Sequence, residues 1–274
     1  MRRPMFQYFG FGSNMSMLSL RAKGVEPLAS RRAVLSGWRL RFNVQHFFRH
    51  EGGVGNIEPT GNPDDRVLGV LHECPDEALA QLDAAEAYGH GYDRIEVEVT
   101  PPGDTGGSGR KVPALTYVGM PGFIDNSRLP SRRYLNIVLE GARQAGLDDE
   151  YIEALARHPV HRMHDYPTFT PPLGHFPTFD KETLADRPLY TALYGAVFDM
   201  SEARPLHDFL RGFFGGRDMT LYHLRRLDSS NGDETMDDIR KGRLDQAQEQ
   251  YLNAYLNEYA REYHYVGRYN YDKD

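Results

Sequence analysis

The chain opens with an aromatic, glycine-rich stretch, Tyr8-Phe9-Gly10-Phe11-Gly12-Ser13-Asn14-Met15. An apolar run that stops at two glycines and passes into a potential helix predicts a strand, a tight loop and a helix start. Glycines allow backbone angles, and a close approach of a ligand to the main chain, that a β-carbon prevents. Ser13 and Asn14 are suited to cap the helix, whose first N–H groups attract anions. The stretch is therefore either a ligand-binding loop or an ordinary capped strand–helix turn.

Three better-known ligand loops do not match this stretch. Gly10 and Gly12 lack the third glycine of a dinucleotide-binding fingerprint, and no Gly-Lys-Ser or Gly-Lys-Thr follows for a phosphate-binding P-loop. Ser13 does not lie in Gly-x-Ser-x-Gly, the pattern around a hydrolase nucleophile. The sequence therefore favours neither a nucleotide nor a nucleophilic serine here.

Composition favours a folded protein that does not bind nucleic acid. The 274 residues suffice for one large domain or two modest ones, with 40% hydrophobic and 26% charged residues. Lys and Arg total 32 against 39 Asp and Glu, a net charge of −7, whereas nucleic-acid-binding proteins are usually basic. No apolar run approaches the roughly 20 residues that span a bilayer, and the single cysteine suits a reducing compartment. We expect a cytoplasmic protein without membrane partners.

Periodicity predicts a small mixed sheet or barrel with one helix packed between its strands. Strands are predicted from alternating patterns over residues 38–44, 66–73, 92–99 and 112–118. The intervening residues 75–87 change to helical spacing, and two later helices are predicted over residues 132–145 and 149–157. This order of elements predicts an α+β fold.

Glu86 is the candidate acid or base. It follows Leu82 by four positions and Leu79 by seven, which places it on the apolar face of the predicted helix. A carboxylate on a buried face must be paired, bound to a ligand or neutral, because desolvating an unpaired charge is costly. Alternatively, Glu86 is solvated at the helix end before Gly89, or it pairs with Arg94.

Three motifs, taken in order, resemble the γ-glutamylcyclotransferase family. The opening loop resembles the family's Tyr-Gly-Ser-Asn loop, and Leu82-Asp83-x-x-Glu86 with Tyr92-x-Arg94 resembles its Leu-Asp-x-x-Glu segment. Pro130-Ser131-Arg132-Arg133-Tyr134 and the helices after it resemble its final helical part. The resemblance covers residues 5 to about 160 and defines a predicted domain over residues 1–160. Phe11 stands where the family usually has tyrosine, which puts the substrate in question more than the reaction.

The resemblance implies a small mixed β-barrel flanked by helices, with a pocket between the Gly-Ser-Asn loop and Glu86. It implies intramolecular aminolysis, in which a γ-glutamyl amino acid or amine closes to 5-oxoproline and releases the amine. Glu86 would be the catalytic acid/base. The substrate-binding residues would be Phe11, Gly12, Ser13, Asn14, Met15, Tyr92 and Tyr117. Both tyrosines are equally compatible with aromatic strand residues, and no metal or cofactor is implied.

Residues beyond about 160 lie outside the resemblance. A proline- and aromatic-rich segment over residues 161–186 predicts a linker that packs along the first domain. His158, His161 and His164 have a spacing that can bind a metal, but Pro159 interrupts the helix that would align them. We therefore expect no metal site in this segment.

Residues 187–274 predict an α+β extension of unknown role that ends in a long helix. That helix, predicted over residues 236–265, carries an apolar and tyrosine-rich face that must cover the first domain or another subunit. If this face covers another subunit, the protein forms a homodimer through the C-terminal helix. Residues 194–199 also match residues 68–73 in pattern, which suggests a degenerate internal repeat without a counterpart of Glu86.

Two classes of function follow. The leading one is a γ-glutamylcyclotransferase-like enzyme acting on a small γ-glutamyl substrate, with a related acyl-removing enzyme for a larger amine as a variant. The alternative is a non-catalytic binding module on the same fold. Glu86 favours the enzyme, whereas Phe11 and the unexplained second half leave room for the module.

Overall fold

The computed structural model describes residues 4–102, 110–162 and 164–273 of the chain. They divide into two compact units, one within residues 1–46 and 51–162 and the other within residues 47–50 and 163–274. Both units combine strands and helices, so the predicted α+β class is confirmed. In the described part of the chain, no helix has the length and apolar character needed to cross a membrane.

The first unit is built on a mixed sheet. Its strands are β1 (Met5–Gly10), β2 (Ala29–Ser36), β3 (Trp38–Gln45), β4 (Gly53–Pro59), β5 (Arg66–Pro75), β6 (Tyr92–Val99) and β7 (Val112–Gly119). Its helices are α1 (Met17–Ala22), α2 (Leu79–Ala85), α3 (Arg132–Gln144) and α4 (Asp149–Ala156). Five strands form a sheet in the order β2-β5-β1-β7-β6, while β3 and β4 pair separately. The central strand β1 is parallel to β7 and antiparallel to β5.

The two edges of this sheet meet at one point. Val34 of β2 and Thr100, just beyond β6, exchange two backbone hydrogen bonds of 3.0 and 2.8 Å. This single bridge joins the edges without pairing the strands along their length. The mixed sheet is therefore confirmed, and the closed small barrel stays a prediction.

Helix α3 holds the opening loop against the sheet. Met15, which ends the loop, lies in one buried cluster with Leu135 and Val138 of α3. Gly141 makes the approach possible, because a β-carbon there would lie 2.7 Å from the backbone nitrogen of Ser16. Burial of these apolar side chains fixes the loop that precedes α1.

The second unit has a sheet of its own. Its strands are β8 (Thr178–Phe179), β9 (Tyr190–Leu193), β10 (Ala196–Asp199), β11 (Arg217–Asp218) and β12 (His264–Tyr269), in the order β11-β9-β10-β12-β8. Its helices are α5 (Lys181–Ala185), α6 (Asp208–Phe214), α7 (Thr220–Leu224), α8 (Met236–Arg240) and α9 (Gln246–Glu262). Residues 164–186 contribute β8 and α5 to this unit, and the division into 1–160, 161–186 and 187–274 stays a prediction.

The single helix predicted over residues 236–265 is wrong. Gly242 lies in the left-handed region at φ +61° and separates α8 from α9. Asp245 then caps α9, because its side chain accepts a hydrogen bond from the Gln248 amide at 2.8 Å. The chain continues beyond α9 into β12, so the extension does not end in a helix.

The tyrosine face of α9 lies inside the second unit. Tyr255 and Tyr259 are fully buried in one hydrophobic cluster with Phe198 of β10 and Phe214 of α6. These tyrosines are therefore covered by the unit's own sheet and helices. The tyrosine face therefore no longer supports the predicted homodimer, which stays an untested prediction.

Candidate functional site

Glu86 lies where α2 ends. The amide of Tyr88 donates to the carbonyl of Asp83 at 3.0 Å, and the amide of Ala87 donates to that of Ala84 at 3.4 Å. These two hydrogen bonds form a Schellman motif, which normally has glycine in the left-handed position. Here Ala87 occupies that position at φ +52°, a backbone strain directly beside the candidate acid/base. The motif fixes the direction in which the Glu86 side chain leaves the helix.

The Glu86 carboxylate is neither solvated nor paired with Arg94. Its side chain is only 14% exposed, which rules out the solvated helix end. Arg94 instead contacts Asp83 at 2.5 Å, so that alternative is wrong as well. Glu86 Oε1 accepts hydrogen bonds from Asn14 Nδ2 at 2.8 Å and from Lys23 Nζ at 2.7 Å. The carboxylate is therefore held in place by an amide and an ammonium.

Asn14 carries the opening loop into this cluster. Residues Ser13–Met15 form one turn of 3₁₀ helix, and Ser16 caps α1 in place of Ser13 or Asn14. The Asn14 side chain thus remains available for the site. Its Nδ2 also donates to the Tyr8 hydroxyl at 2.5 Å, and its Oδ1 accepts from Lys23 Nζ at 2.5 Å. The amide has one possible orientation, because a flipped one would turn its NH₂ toward an ammonium.

Lys23 belongs to the site, although no sequence motif singles it out. It is the C-terminal cap of α1, and Gly24 follows in the left-handed region at φ +75°. The amide of Val25 closes this Schellman motif by donating to the Leu20 carbonyl at 3.0 Å. The Lys23 side chain is 5% exposed. The one available signal was its position before a helix-ending glycine, where cations are favoured.

His72 supports the loop from the sheet. Its Nε2 lies 2.9 Å from the Asn14 carbonyl oxygen, and its Nδ1 lies 2.8 Å from the Ser30 hydroxyl. The carbonyl can only accept, so Nε2 carries the proton and Nδ1 accepts from Ser30. Burial lowers the pKa of His72 to about 4, which keeps the ring neutral at physiological pH. A buried neutral histidine therefore fixes the backbone of Asn14.

Four tyrosines surround the carboxylate. Burial raises the pKa of Tyr8, Tyr92, Tyr117 and Tyr134, and the Glu86 charge raises each of them further. The phenols therefore remain protonated donors. Tyr92 donates to the Gly55 carbonyl at 2.6 Å, and Tyr117 donates to Asp83 at 2.6 Å. The two predicted pocket tyrosines thus lie next to Glu86 but bond to other groups.

The Tyr134 hydroxyl explains the glycine that precedes Ser13. It accepts a hydrogen bond from the Gly55 amide at 3.0 Å. A β-carbon at Gly12 or at Gly55 would lie 2.9 Å from this oxygen. Gly12 is therefore required by a close side-chain contact.

The remaining loop residues are core side chains. Phe11 is 7% exposed and packs with Phe9 and Ile57. Met15 is 3% exposed and packs against α3. The assignment of Phe11 and Met15 to the substrate site stays a prediction. Among residues 4–102, 110–162 and 164–273, no three or more His, Cys, Asp or Glu side chains cluster as metal ligands would.

Together, fold and geometry define an α+β domain in which the opening loop and the end of α2 meet at the Glu86 carboxylate. Residues 66–155 match the AIG2-like family. The gamma-glutamylcyclotransferase of Mus musculus is 29% identical over 154 residues, 55% of this chain and 77% of that protein. The gamma-glutamyl cyclotransferase aclK of Aspergillus oryzae is 27% identical over 180 residues, 60% of this chain and 63% of that protein. A solved gamma-glutamyl cyclotransferase is 25% identical with a TM-score of 0.49, over 58% of this chain and 90% of its own.

The matched residues run from β5 to α4 and include Glu86. The resemblance seen in the sequence motifs is thereby confirmed. Through residues 66–155 of its N-terminal unit, the chain is similar to the AIG2-like family, and over 154 residues it is similar to a gamma-glutamylcyclotransferase.

Proposed function

We propose that the chain is a γ-glutamylcyclotransferase-like enzyme that converts a γ-glutamyl amino acid or amine to 5-oxoproline and the free amine. One observation carries the proposal. Asn14 of the opening loop and Glu86 at the end of α2, 72 positions apart in sequence, are joined by a hydrogen bond of 2.8 Å. Two of the three motifs of the family resemblance are therefore in direct contact, which supports a shared site. The relatives named gamma-glutamylcyclotransferase support the same reaction.

The reaction requires proton transfer that a single carboxylate can perform. The substrate's α-ammonium must lose a proton before its nitrogen attacks the γ-carbonyl carbon, and Glu86 is the base. A new C–N bond closes the five-membered ring, and the original amide C–N bond then breaks. The α-nitrogen goes from three hydrogens to one and the leaving nitrogen from one to three. Glu86 therefore carries two protons in turn from the first nitrogen to the second.

The protein contributes orientation as well as proton transfer. Ring closure is unimolecular, so holding the γ-glutamyl chain folded supplies much of the rate enhancement. Buried phenols, among them Tyr8 and Tyr92, keep their protons beside Glu86 and present donors rather than anions. The amides of Gly12, Ser13 and Asn14 are the loop donors that we assign to the substrate carboxylate or the oxyanion.

We propose that the protein is cytoplasmic and acts on a small-molecule substrate, and its single cysteine suits the reducing compartment. Its net charge of −7 argues against a nucleic-acid partner. We propose that the first sheet acts as a small barrel, with the bridge between Val34 and Thr100 as support. The reaction as proposed calls for no metal or cofactor.

The experiment that tests the function is release of 5-oxoproline from a substrate panel. The panel contains γ-glutamyl amino acids, γ-glutamyl amines of increasing size, and glutathione. Release from a small γ-glutamyl compound supports the proposed enzyme, and release confined to bulky amines supports the variant for a larger amine. If the folded protein binds members of the panel but releases no 5-oxoproline, the non-catalytic binding module is correct.

A further inference from the structure

We propose that Lys23 is a positioning residue of the active site, whose ammonium holds Glu86 in its carboxylate form and locks it to Asn14. The proposal rests on the proposed function and adds to it a residue from outside the family's motifs. Lys23 Nζ lies 2.7 Å from Glu86 Oε1 and 2.5 Å from Asn14 Oδ1. Asn14 Nδ2 also donates to Glu86 Oε1 at 2.8 Å, so each of the three side chains contacts the other two.

Burial makes this ion pair different from those on the surface. The side chains of Lys23 and Glu86 are 5% and 14% exposed. In contrast, the pair between Lys111 and Glu98 lies at 3.1 Å with both side chains about two-thirds exposed. Solvent screens an exposed pair, and such pairs have little effect on the groups that form them. A desolvated ammonium at hydrogen-bond distance strongly favours the charged form of its carboxylate partner.

The surroundings of Glu86 explain why a cation is needed. Glu86 caps the C-terminus of α2, the negative end of the helix dipole, where a carboxylate is disfavoured. Four phenols, which supply no positive charge, lie near it on other elements: Tyr8 of β1, Tyr92 of β6, Tyr117 of β7 and Tyr134 of α3. Arg94 is turned toward Asp83. Lys23 thus supplies the ammonium that compensates this environment.

Backbone geometry fixes Lys23 in this role. Both partners of the ion pair are C-caps of helices that end in Schellman motifs, Lys23 after α1 and Glu86 after α2. Leu20 and Val25, which flank the α1 motif, are fully buried. Because both helix ends are anchored, the two charged groups meet without the conformational freedom that weakens flexible surface pairs.

The proposal predicts how the pH profile of kcat/KM responds to substitution. Lys23→Met keeps the length of the side chain and removes its charge. We expect the acid limb of the profile for 5-oxoproline release to move upward by about one pH unit or more. We also expect kcat at neutral pH to fall about tenfold or more, because Glu86 loses its orientation. Lys23→Arg should restore the acid limb, and Lys111→Met, the matched surface control, should leave the profile unchanged.

A second measurement tests the residue without relying on turnover. The titration of the Glu86 carboxyl is followed by carbon NMR in glutamate-labelled protein, with Glu86→Gln to assign the signal. An upward shift of its midpoint in Lys23→Met supports the proposal, even if the wild type releases no 5-oxoproline and the proposed function fails. An unchanged midpoint, or a fall in kcat without a shift of the acid limb, overturns it and leaves Lys23 with a structural role only.

Discussion

At the scale of single residues, the site depends on how closely the backbone approaches one hydroxyl. Gly12 and Gly55 both lie where a β-carbon would be 2.9 Å from Tyr134 Oη. From the sequence, Gly12 was explained by its backbone freedom and by close approach of a ligand, and the structure gives a different reason. The cause is a tyrosine more than 120 positions away, which pattern and spacing cannot reveal.

Gly12→Ala should therefore impair catalysis while the fold persists. The added methyl group must displace the Tyr134 hydroxyl or the loop that carries Asn14. We expect kcat/KM for 5-oxoproline release to fall by about 10- to 100-fold, the usual effect of a displacement near 1 Å. Gly122→Ala is the matched control, because a β-carbon there meets nothing within 4 Å. Equal activity of both variants would contradict this account of the loop.

His72 sets a pH dependence of stability. Burial lowers its pKa to about 4 in the folded state, below the ordinary value of 6.5. Between about pH 6.5 and pH 4, the unfolded chain binds a proton at this histidine and the folded chain does not. The contribution of His72 to the free energy of unfolding is therefore fully present above about pH 6.5 and decreases as the pH falls toward 4. The loss should reach up to about 3 kcal/mol. Denaturant titrations of wild type and His72→Gln test this, and parallel pH profiles for the two would refute it.

At the scale of elements, a buried ion pair joins α3 to another segment of the first unit. Arg133 near the start of α3 contacts Glu51, and the two side chains are 9% and 1% exposed. Ser131, the N-cap of α3, donates to the same carboxylate at 3.2 Å. The sequence pattern predicted α3 within one residue at each end, but no pattern pointed to the partner of Arg133.

Removing one member of this pair should destabilise the first unit strongly. Arg133→Met leaves the Glu51 carboxylate buried without its guanidinium, and we expect the free energy of unfolding to fall by about 3–5 kcal/mol. The exposed pair of Glu153 on α4 and Arg157, its C-cap, provides the control. Arg157→Met should change the free energy of unfolding by less than about 1 kcal/mol. The double variant Glu51→Leu/Arg133→Met should be more stable than Arg133→Met alone. Similar losses for both single variants would be inconsistent with the role of burial.

A glycine within α6 offers a stabilising change in the second unit. Gly212 is exposed, and a β-carbon there would meet nothing within 4 Å. Gly212→Ala should raise the free energy of unfolding by about 0.5–1 kcal/mol, because alanine loses less backbone entropy in a helix. Gly216 lies at φ +73°, so Gly216→Ala should destabilise instead. Thermal unfolding followed by circular dichroism measures both, and stabilisation by both would contradict the backbone assignment.

At the scale of the whole molecule, local periodicity predicted the first unit better than the second. Strands β5 to β7 and helices α3 and α4 lie where alternating and helical patterns place them. In the second unit, short strands and breaks such as Gly242 are not predicted by such patterns.

The strand pairing of the second unit repeats that of the first unit in part. Strand β10 is antiparallel to β9, and β9 is parallel to β11, as β5 is antiparallel to β1 and β1 is parallel to β7.

The candidate site shows the same limit of sequence reasoning. Asn14 and Glu86 were predicted from motifs, and the structure joins them directly. Lys23, His72 and Tyr134 complete the cluster, yet each belongs to a different element. Lys23 and His72 lie in no motif, and the motif that contains Tyr134 gave it no role in the site. Contacts between elements far apart in sequence depend on the assembled sheet, which single-sequence patterns do not encode.

The central claim is that Glu86 carries the protons of the cyclisation. Glu86→Gln keeps the shape of the side chain and removes the base, while Glu98→Gln changes an exposed carboxylate that pairs only with Lys111 at 3.1 Å among the contacts resolved here. The decisive measurement is kcat for 5-oxoproline release at saturating substrate in wild type and both variants. We predict a fall of about 100-fold or more for Glu86→Gln and no change for Glu98→Gln. A folded Glu86→Gln variant that retains wild-type kcat would contradict the account.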